Sequence, residues 1–426
     1  MSVIRRYHVE QGAAMNYSRR LIASDILAAN RREQRFTKYG VGTPAAGGVA
    51  DRVRQMAEPG ADNVLVNTVQ LFGRHYAATE LPQVTEYCPA TLATLGKVDL
   101  AARIPGLVLL TPHPLYEEDG TMWNIAIAAG PDTGGNLSAV WRYVIFKVGP
   151  PKTAEEERDP WQNLEVVSEK SSSRPISISY HHSFFMTARY IIFTEQPWIF
   201  GSLPSLLYRH VWQGRPLGEA MFWDEDATLR FHVMEKATGK FVATNYEADA
   251  MGFYHIINAY EEDNSLVLDA PFVVQPMSYN VLTRQELAGD PDTLRRHLVT
   301  LGGTGGLMAR RWVLPLTVPD TFSPPSLLQL TEDGSVSPHS YPSLLAPGGH
   351  VAAAWHVAPG TVYLQPELLA PAEQYEYHRE LEFPAINPNF AGKKYRSVSE
   401  YRSHFRKQSI HTGTFSNDFF SQGAVI

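Results

Sequence analysis

Three histidines recur in one local context. His113 in LLTPHPLYEEDGTMWNIAI, His182 in SISYHHSFFMTARYIIFTE and His255 in MGFYHIINAYEEDNSLVLD each end or follow an apolar stretch, precede a polar turn and are answered by another apolar run. They lie 69 and 73 residues apart. Neutral imidazole is a good donor to iron, zinc, copper and nickel, so three equivalently placed histidines can converge on one ion while leaving its identity open. Each one taken singly reads more readily as a hydrogen-bonded structural residue.

Two acids bear on the choice. Glu80 in YAATELP and Glu382 in ELEFPAINP sit in apolar strand surroundings, where an unpaired carboxylate is costly. Accepting the outer N–H of a metal-bound imidazole would remove that cost and fix the ring's tautomer. An ion pair with a neighbouring arginine would remove it too. The one cysteine, Cys88, rules out an intramolecular disulfide and a thiolate cluster, so the fifteen histidines are the ligand reservoir.

The elements that must position these residues read as β. The 31 Gly and 30 Pro are spread along the chain between short β-branched and aromatic runs, the pattern of many hairpins. Asn63 to Phe72 reads as a strand, Gly73-Arg74 as its turn and His75 to Glu80 as the return strand. Gln83 to Tyr87 and Thr94 to Asp99 then flank the turn CPATL. Four consecutive antiparallel strands make a sheet of the size of a propeller blade. A second group is expected at Val108 to His113, Met122 to Ala128, Ala139 to Val148 and Leu164 to Ser168. A third is expected at Ile176 to Phe184, Tyr190 to Thr194, Leu229 to Glu235 and Phe241 to Asn245. In a radial repeat, equivalent positions on successive sheets point at one axis. Helical periodicity is confined to short pieces, Ser24 to Gln34 and Gln285 to Leu301, and no linker divides residues 1–426, so one domain is expected.

Composition excludes other classes. A chain of 426 residues with 44% hydrophobic residues can bury a large core, and a net charge of −7 gives no basic field for nucleic acid. The start, MSVIRRYHVEQGAAMNYSRRLIASD, lacks a secretory apolar region, and no apolar run approaches the ~20 residues of a membrane helix. A cytoplasmic protein is expected. Arg5, Arg6, Arg19 and Arg20 give a faint likeness to a mitochondrial presequence, against which an ordinary exposed start is preferred.

Together these segments resemble the carotenoid cleavage oxygenases. TPHPLYEEDG is similar to that family's His-Pro segment, SYHHSF followed by YIIFTEQP to its His-Ser-Phe segment, YHIINAYEEDN to its His-x-x-Asn-Ala-Tyr-Glu segment, and ELEFPAINPNFAGKKYR to its Glu-Phe-Pro-x-Ile-Asn segment. The likeness runs from about residue 17 to residue 395, and FHVMEKATGKFV is closest to the animal branch. The resemblance implies a seven-bladed β-propeller with one Fe(II) per subunit on its axis, held by four histidines. His113, His182 and His255 match three ligands, and Glu80 and Glu382 match two of the glutamates that accept from ligand imidazoles. Tyr180 and Thr79 match positions lining the cavity near the metal, and His181 is spare. The implied reaction is cleavage of a carotenoid or apocarotenoid double bond with O2 to give two carbonyl products. A retinoid isomerohydrolase shares the scaffold, and a retinoid or carotenoid binder without a working metal is a further alternative. Peripheral membrane contact is implied by analogy alone, since no apolar patch is visible in YGVGTPAAGGVADRVRQMAEPG.

The family's fourth histidine and third glutamate lie further downstream of Glu382 than Ile426, and His411 in IHTGTF falls too early to be assigned to that role. The expectation is therefore a propeller lacking part of its first and last blades, with 396–426 an irregular tail unlike the family. Expressed as written, such a chain is expected to be unstable and inactive, the product of an alternative transcript or a faulty gene model.

Overall fold

A two-residue turn, 72–73, opens the first four-stranded sheet. The computed structural model describes residues 2–10, 13–35, 47–57, 62–130, 141–174, 177–201, 203–216, 218, 221–273, 308–322, 343–345, 352–369, 381–395 and 399–402. It opens with the hairpin Val3–Glu10 (β1) and Ala13–Leu21 (β2), then the helices Asp25–Glu33 (α1) and Val49–Ala57 (α2). Helix α1 is the one expected from Ser24 to Gln34. Ser24 accepts the Leu27 N–H at its start, and Gln34 closes it in the left-handed conformation. The predicted helix Gln285 to Leu301 lies outside the described residues.

Asn67–Leu71 (β3), Arg74–Ala78 (β4), Gln83–Tyr87 (β5) and Thr94–Asp99 (β6) form one antiparallel sheet in chain order, as expected. Its first turn is Phe72-Gly73 rather than Gly73-Arg74. Leu71 pairs with Arg74, and both intervening residues take positive φ, 46° and 79°. A two-residue hairpin whose twist matches its strands needs that conformation at both central positions, so Gly73 sits second and Phe72 bears the strain.

Leu107–Leu110 (β7), Leu115–Tyr116 (β8), Met122–Ala129 (β9), Trp141–Val148 (β10) and Leu164–Ser171 (β11) make the second sheet, order β11-β10-β9-β7 with β8 also on β9. Alternate residues of the two sheets share one core: Val69, Leu71, Tyr76 and Ala78 from the first, and Ala126, Ala128, Val144, Phe146 and Val148 from the second. The other face of β9 is buried as well, through Trp123, Ile125 and Ile127. A strand covered on both faces is what stacking of sheets produces.

The third expected group is split. The strands are Ile178–Ser179 (β12), Phe185–Met186 (β13), Tyr190–Glu195 (β14), Trp198–Phe200 (β15), Met221–Trp223 (β16), Leu229–Glu235 (β17) and Asn245–Ala248 (β18). β12 pairs in a small sheet of order β12-β15-β16, whereas β13 pairs with β14. The continuous strand expected from Ile176 to Phe184 is thus interrupted around Tyr180 to Ser183. Phe241 makes only an isolated bridge, to Met234, and the expected strand starts at Asn245 instead.

Further on lie Asn258–Glu262 (β19), Ser265–Phe272 (β20), Met308–Pro315 (β21), Ala353–Ala358 (β22), Thr361–Gln365 (β23), Glu367–Leu368 (β24), Leu381–Ala385 (β25) and Ser399–Arg402 (β26). One sheet has the order β19-β20-β21-β24. Another, β13-β14-β17-β18-β23-β22, contains a parallel β18–β23 contact. β26 pairs with β25, so ordered strand continues past residue 396, where irregular chain was expected.

The chain forms two compact units. Among the described residues, one uses those up to Ser183 and Ile199–Phe222, the other Phe184–Trp198 and those from Trp223 onward. The core of the second packs Phe185, Ile192, Phe231, Val233 and Tyr246 with Leu266, Leu268, Phe272, Trp312 and Val362. Within it the buried Asp269 carboxylate accepts two bonds from Arg311, both 2.8 Å, and the Tyr395 hydroxyl at 2.7 Å. That hydroxyl and the Asn258 amide, which donates to the Phe390 and Lys393 carbonyls, anchor the segment after β25. No helix among the described residues is long and apolar enough to cross a membrane.

Candidate metal centre

All three histidines lie where the backbone leaves one ladder and has not yet joined the next. His113 stands between β7 and β8, flanked by Pro112 and Pro114. Proline has no N–H to give a ladder, so the strand must lift off at this point. His182 lies between β12 and β13, where the chain changes sheets. His255 lies between the Gly252–Val273 bridge and β19. This is the physical content of the shared context seen in the sequence.

In the first unit the Nε2 atoms of His113 and His182 are 3.0 Å apart. On its far side the His182 ring is held at Nδ1, which donates to Glu80 Oε1 at 3.0 Å with the Tyr180 hydroxyl oxygen at 2.8 Å. The Tyr180 O–H itself donates to Glu80 Oε1 at 3.0 Å, and Thr79 Oγ1 donates to Glu80 Oε2 at 3.1 Å. Burial would raise the Glu80 carboxyl, but the His182 ring, together with a backbone N–H and the Tyr180 hydroxyl, outweighs it and holds the group down at about 2. An ionised Glu80 keeps the proton of His182 on Nδ1 and leaves the Nε2 lone pair directed at His113. On the His113 side, Asn67 Nδ2 lies 3.3 Å from Nδ1 and donates to the Pro112 carbonyl at 2.9 Å, fixing the segment that carries the ring.

His181 is buried, its ring set edge-on to Tyr143 at 6.2 Å, and takes no part in this cluster. Glu382 lies on β25, its backbone opposite Tyr401, and its side chain lies outside the described residues, as does His411. The resemblance matched Thr79 and Tyr180 to positions lining the cavity near the metal; in the structure both hydroxyls donate to Glu80. Sequence reasoning missed Asn67, for which the only sequence signal is an amide at the start of the hairpin whose second strand leads into Glu80.

The spacing suits a metal. With metal–nitrogen bonds of about 2.1 Å, two imidazoles at right angles on one ion have nitrogens ~3.0 Å apart. Among the described residues, His113, His182 and His255 form one group whose ring nitrogens, one from each, lie within 4.8 Å of one another and could hold a metal ion. Neutral imidazole donors with one outer N–H anchored on a carboxylate fit a divalent transition metal.

Comparison with known proteins agrees with this chemistry. The chain is 28% identical over 414 residues to the carotenoid-cleaving dioxygenase, mitochondrial, of Macaca fascicularis, covering 93% of this chain and 67% of that protein. It is 27% identical over 408 residues to the β,β-carotene 15,15'-dioxygenase of Mus musculus, covering 93% of this chain and 65% of that protein. The chain thus spans about two thirds of the length of these relatives. Among solved structures, a cobalt-substituted Synechocystis apocarotenoid oxygenase matches with a TM-score of 0.60 at 16% identity, covering 94% of this chain and 67% of that one. A chimera of that oxygenase with RPE65 matches with a TM-score of 0.61 over the same shares at 16% identity. The fold is therefore the all-β propeller type of those proteins. The family model described as retinal pigment epithelial membrane protein (RPE65) matches residues 1–417, and the chain belongs to this family of carotenoid cleavage oxygenases.

Proposed function

We propose that the protein cleaves a double bond of a carotenoid or apocarotenoid with O2, using one Fe(II) held by His113, His182 and His255. The observation that carries this reading is the 3.0 Å approach of two histidine Nε2 atoms, one of them with its outer N–H committed to an ionised Glu80. The relatives named as carotenoid-cleaving and β,β-carotene dioxygenases supply the substrate class. Bound iron would supply the means to activate O2 next to an apolar chain.

The protein's own residues do the rest. Glu80 keeps a proton on His182 Nδ1 and so keeps Nε2 available. Tyr180 donates to Glu80 Oε1 and Thr79 to Oε2, and the His182 ring, with the Tyr180 hydroxyl, holds the carboxylate ionised despite its burial. Glu382 is proposed to do for a second ring what Glu80 does for His182. A polyene has no polar handle, so the bond that reacts is set by how far it slides in, and catalysis rests on placement. Contact with a membrane surface, from which so apolar a substrate would be drawn, belongs to the same proposal.

Loading a version of this protein extended to the length of its relatives with Fe(II) without air, then adding O2 and a panel of carotenoids, tests this. Paired aldehyde or ketone fragments identified by mass are expected. Stoichiometric iron without any cleaved product would refute the oxygenase reading.

A further inference from the structure

We infer that Gln196 is a positioning residue for His255, acting through the backbone of Phe253. This deepens the proposed function and rests on His255 being a ligand. His255 is not carried by a strand. Upstream, Gly252 exchanges two backbone hydrogen bonds with Val273, 2.9 and 2.8 Å, and downstream Ile257 donates to the Asp269 carbonyl at 2.8 Å. At Phe253, two residues before the imidazole, no neighbouring strand among the described residues supplies the partners. Gln196 does so instead: its Oε1 accepts the Phe253 N–H at 2.9 Å, and its Nε2 donates to the Phe253 carbonyl at 3.2 Å. One side-chain amide thus reproduces the pair of bonds that a strand residue would give.

The device is built in. Gln196 is fully buried, so its amide groups cannot exchange these partners for water without opening the core. Gly252 allows the approach, because a Cβ there would lie 2.9 Å from Gln196 Oε1 and 3.2 Å from the Trp223 ring. Two positions beyond Gln196, the Trp198 ring meets Tyr254 edge-on at 5.1 Å, bracing the residue next to His255. The TEQPW segment, from the end of β14 to the start of β15, is therefore a template against which the histidine-bearing loop is cast. A ligand must be held within roughly 0.5 Å of its working position, and a buried amide two residues away can do this without touching metal or substrate.

Co2+ binding by the 426-residue chain, read from the visible absorption of the bound ion and by competition with a chelator, tests the assignment. Gln196→Met, which keeps the shape and removes both bonds, is expected to weaken Co2+ by about 10-fold and to alter the absorption. Tyr246→Phe serves as the comparison. It also removes a buried hydrogen bond, from Tyr246 Oη to the Pro315 carbonyl, and is expected to bind as wild type. If Gln196→Met does not fold, Gln196→Glu keeps the acceptor for the Phe253 N–H, loses the donor, and should show a smaller shift in the same direction. Wild-type affinity and absorption in the Gln196 variant that folds, beside a weakened His255→Ala, would overturn the positioning role alone. Equal weakening by Tyr246→Phe would also overturn it, since loss of stability would then suffice. A His255→Ala chain that binds Co2+ as wild type does would remove the ligand reading beneath it.

Discussion

Replacing Glu80 by glutamine removes a charge while leaving its shape. Glutamine retains Oε1, so His182 Nδ1 and the Tyr180 hydroxyl keep their acceptor. The new amide nitrogen faces Thr79 Oγ1, which can turn from donor to acceptor. What is lost is the negative charge behind the imidazole. A carboxyl held at about 2 instead of its ordinary 4.5 favours ionisation by on the order of 3 kcal/mol, at ~1.4 kcal/mol per unit, which bounds the effect from above. We expect Fe(II) affinity, measured by anaerobic chelator competition, to fall by about 10 to 100-fold, or roughly 1.4 to 2.7 kcal/mol. The metal-free protein gives a second readout. Because the carboxyl is depressed on folding, the unfolded state binds the extra proton between about 4.5 and about 2. The contribution of Glu80 is thus complete above that window and lost as pH falls through it. Wild type should lose stability more steeply than Glu80→Gln across this interval. Equal iron affinity together with superimposable acid-unfolding curves would show that Glu80 is an ordinary buried acid and that the argument is mistaken.

Other outcomes follow from the same structure. His113→Ala, His182→Ala and His255→Ala should each abolish iron binding, measured by elemental analysis, whereas His181→Ala should keep it; an essential His181 would mean the wrong ring was chosen. Asp62 accepts from the Asp25 and Ile26 N–H groups at the start of α1 and from Lys97 Nζ. Burial opposes its ionisation, but Lys97 and those backbone groups hold it below the usual carboxylate range. Asp62→Asn should destabilise by about 1 to 2 kcal/mol in chemical denaturation near neutral pH, and the difference should shrink only as pH falls below that range. Phe231→Ala, in the core of the second unit, should cost about 3 to 5 kcal/mol, seen as a lower denaturation midpoint; a shift below 1 kcal/mol would mean that the site collapses around the gap.

What could be read from the chain depended on how far apart the interacting parts lie. The sheets β3–β6 and β7–β11 were legible because each strand pairs with a near neighbour through a turn that announces itself with glycine or proline. The sheet holding β14 and β17 was not, because β22 and β23 join it from a distant part of the chain and local periodicity carries no record of that pairing. The same holds within the site. Glu80 and His182 stood out because a buried charge and a repeated context are local properties. Asn67 and Gln196 did not, because an amide serving a backbone elsewhere looks like any polar residue at a strand end. The break at Tyr180 to Ser183 was hidden by its composition, which suits a strand.

The parallel contact between β18 and β23 constrains the order in which the protein can assemble. Asn245 pairs with Thr361 and Glu247 with Tyr363, so this ladder cannot close until synthesis has passed both strands and the intervening chain has been gathered in. Loop-closure entropy makes such a step slow compared with the hairpins that precede it. On a translating ribosome, β14, β17 and β18 are complete long before their last neighbours emerge, leaving the outer edge of β18 open for seconds at ordinary elongation rates. That interval is when a chaperone, or an identical edge on a nearby nascent chain, would find its opening.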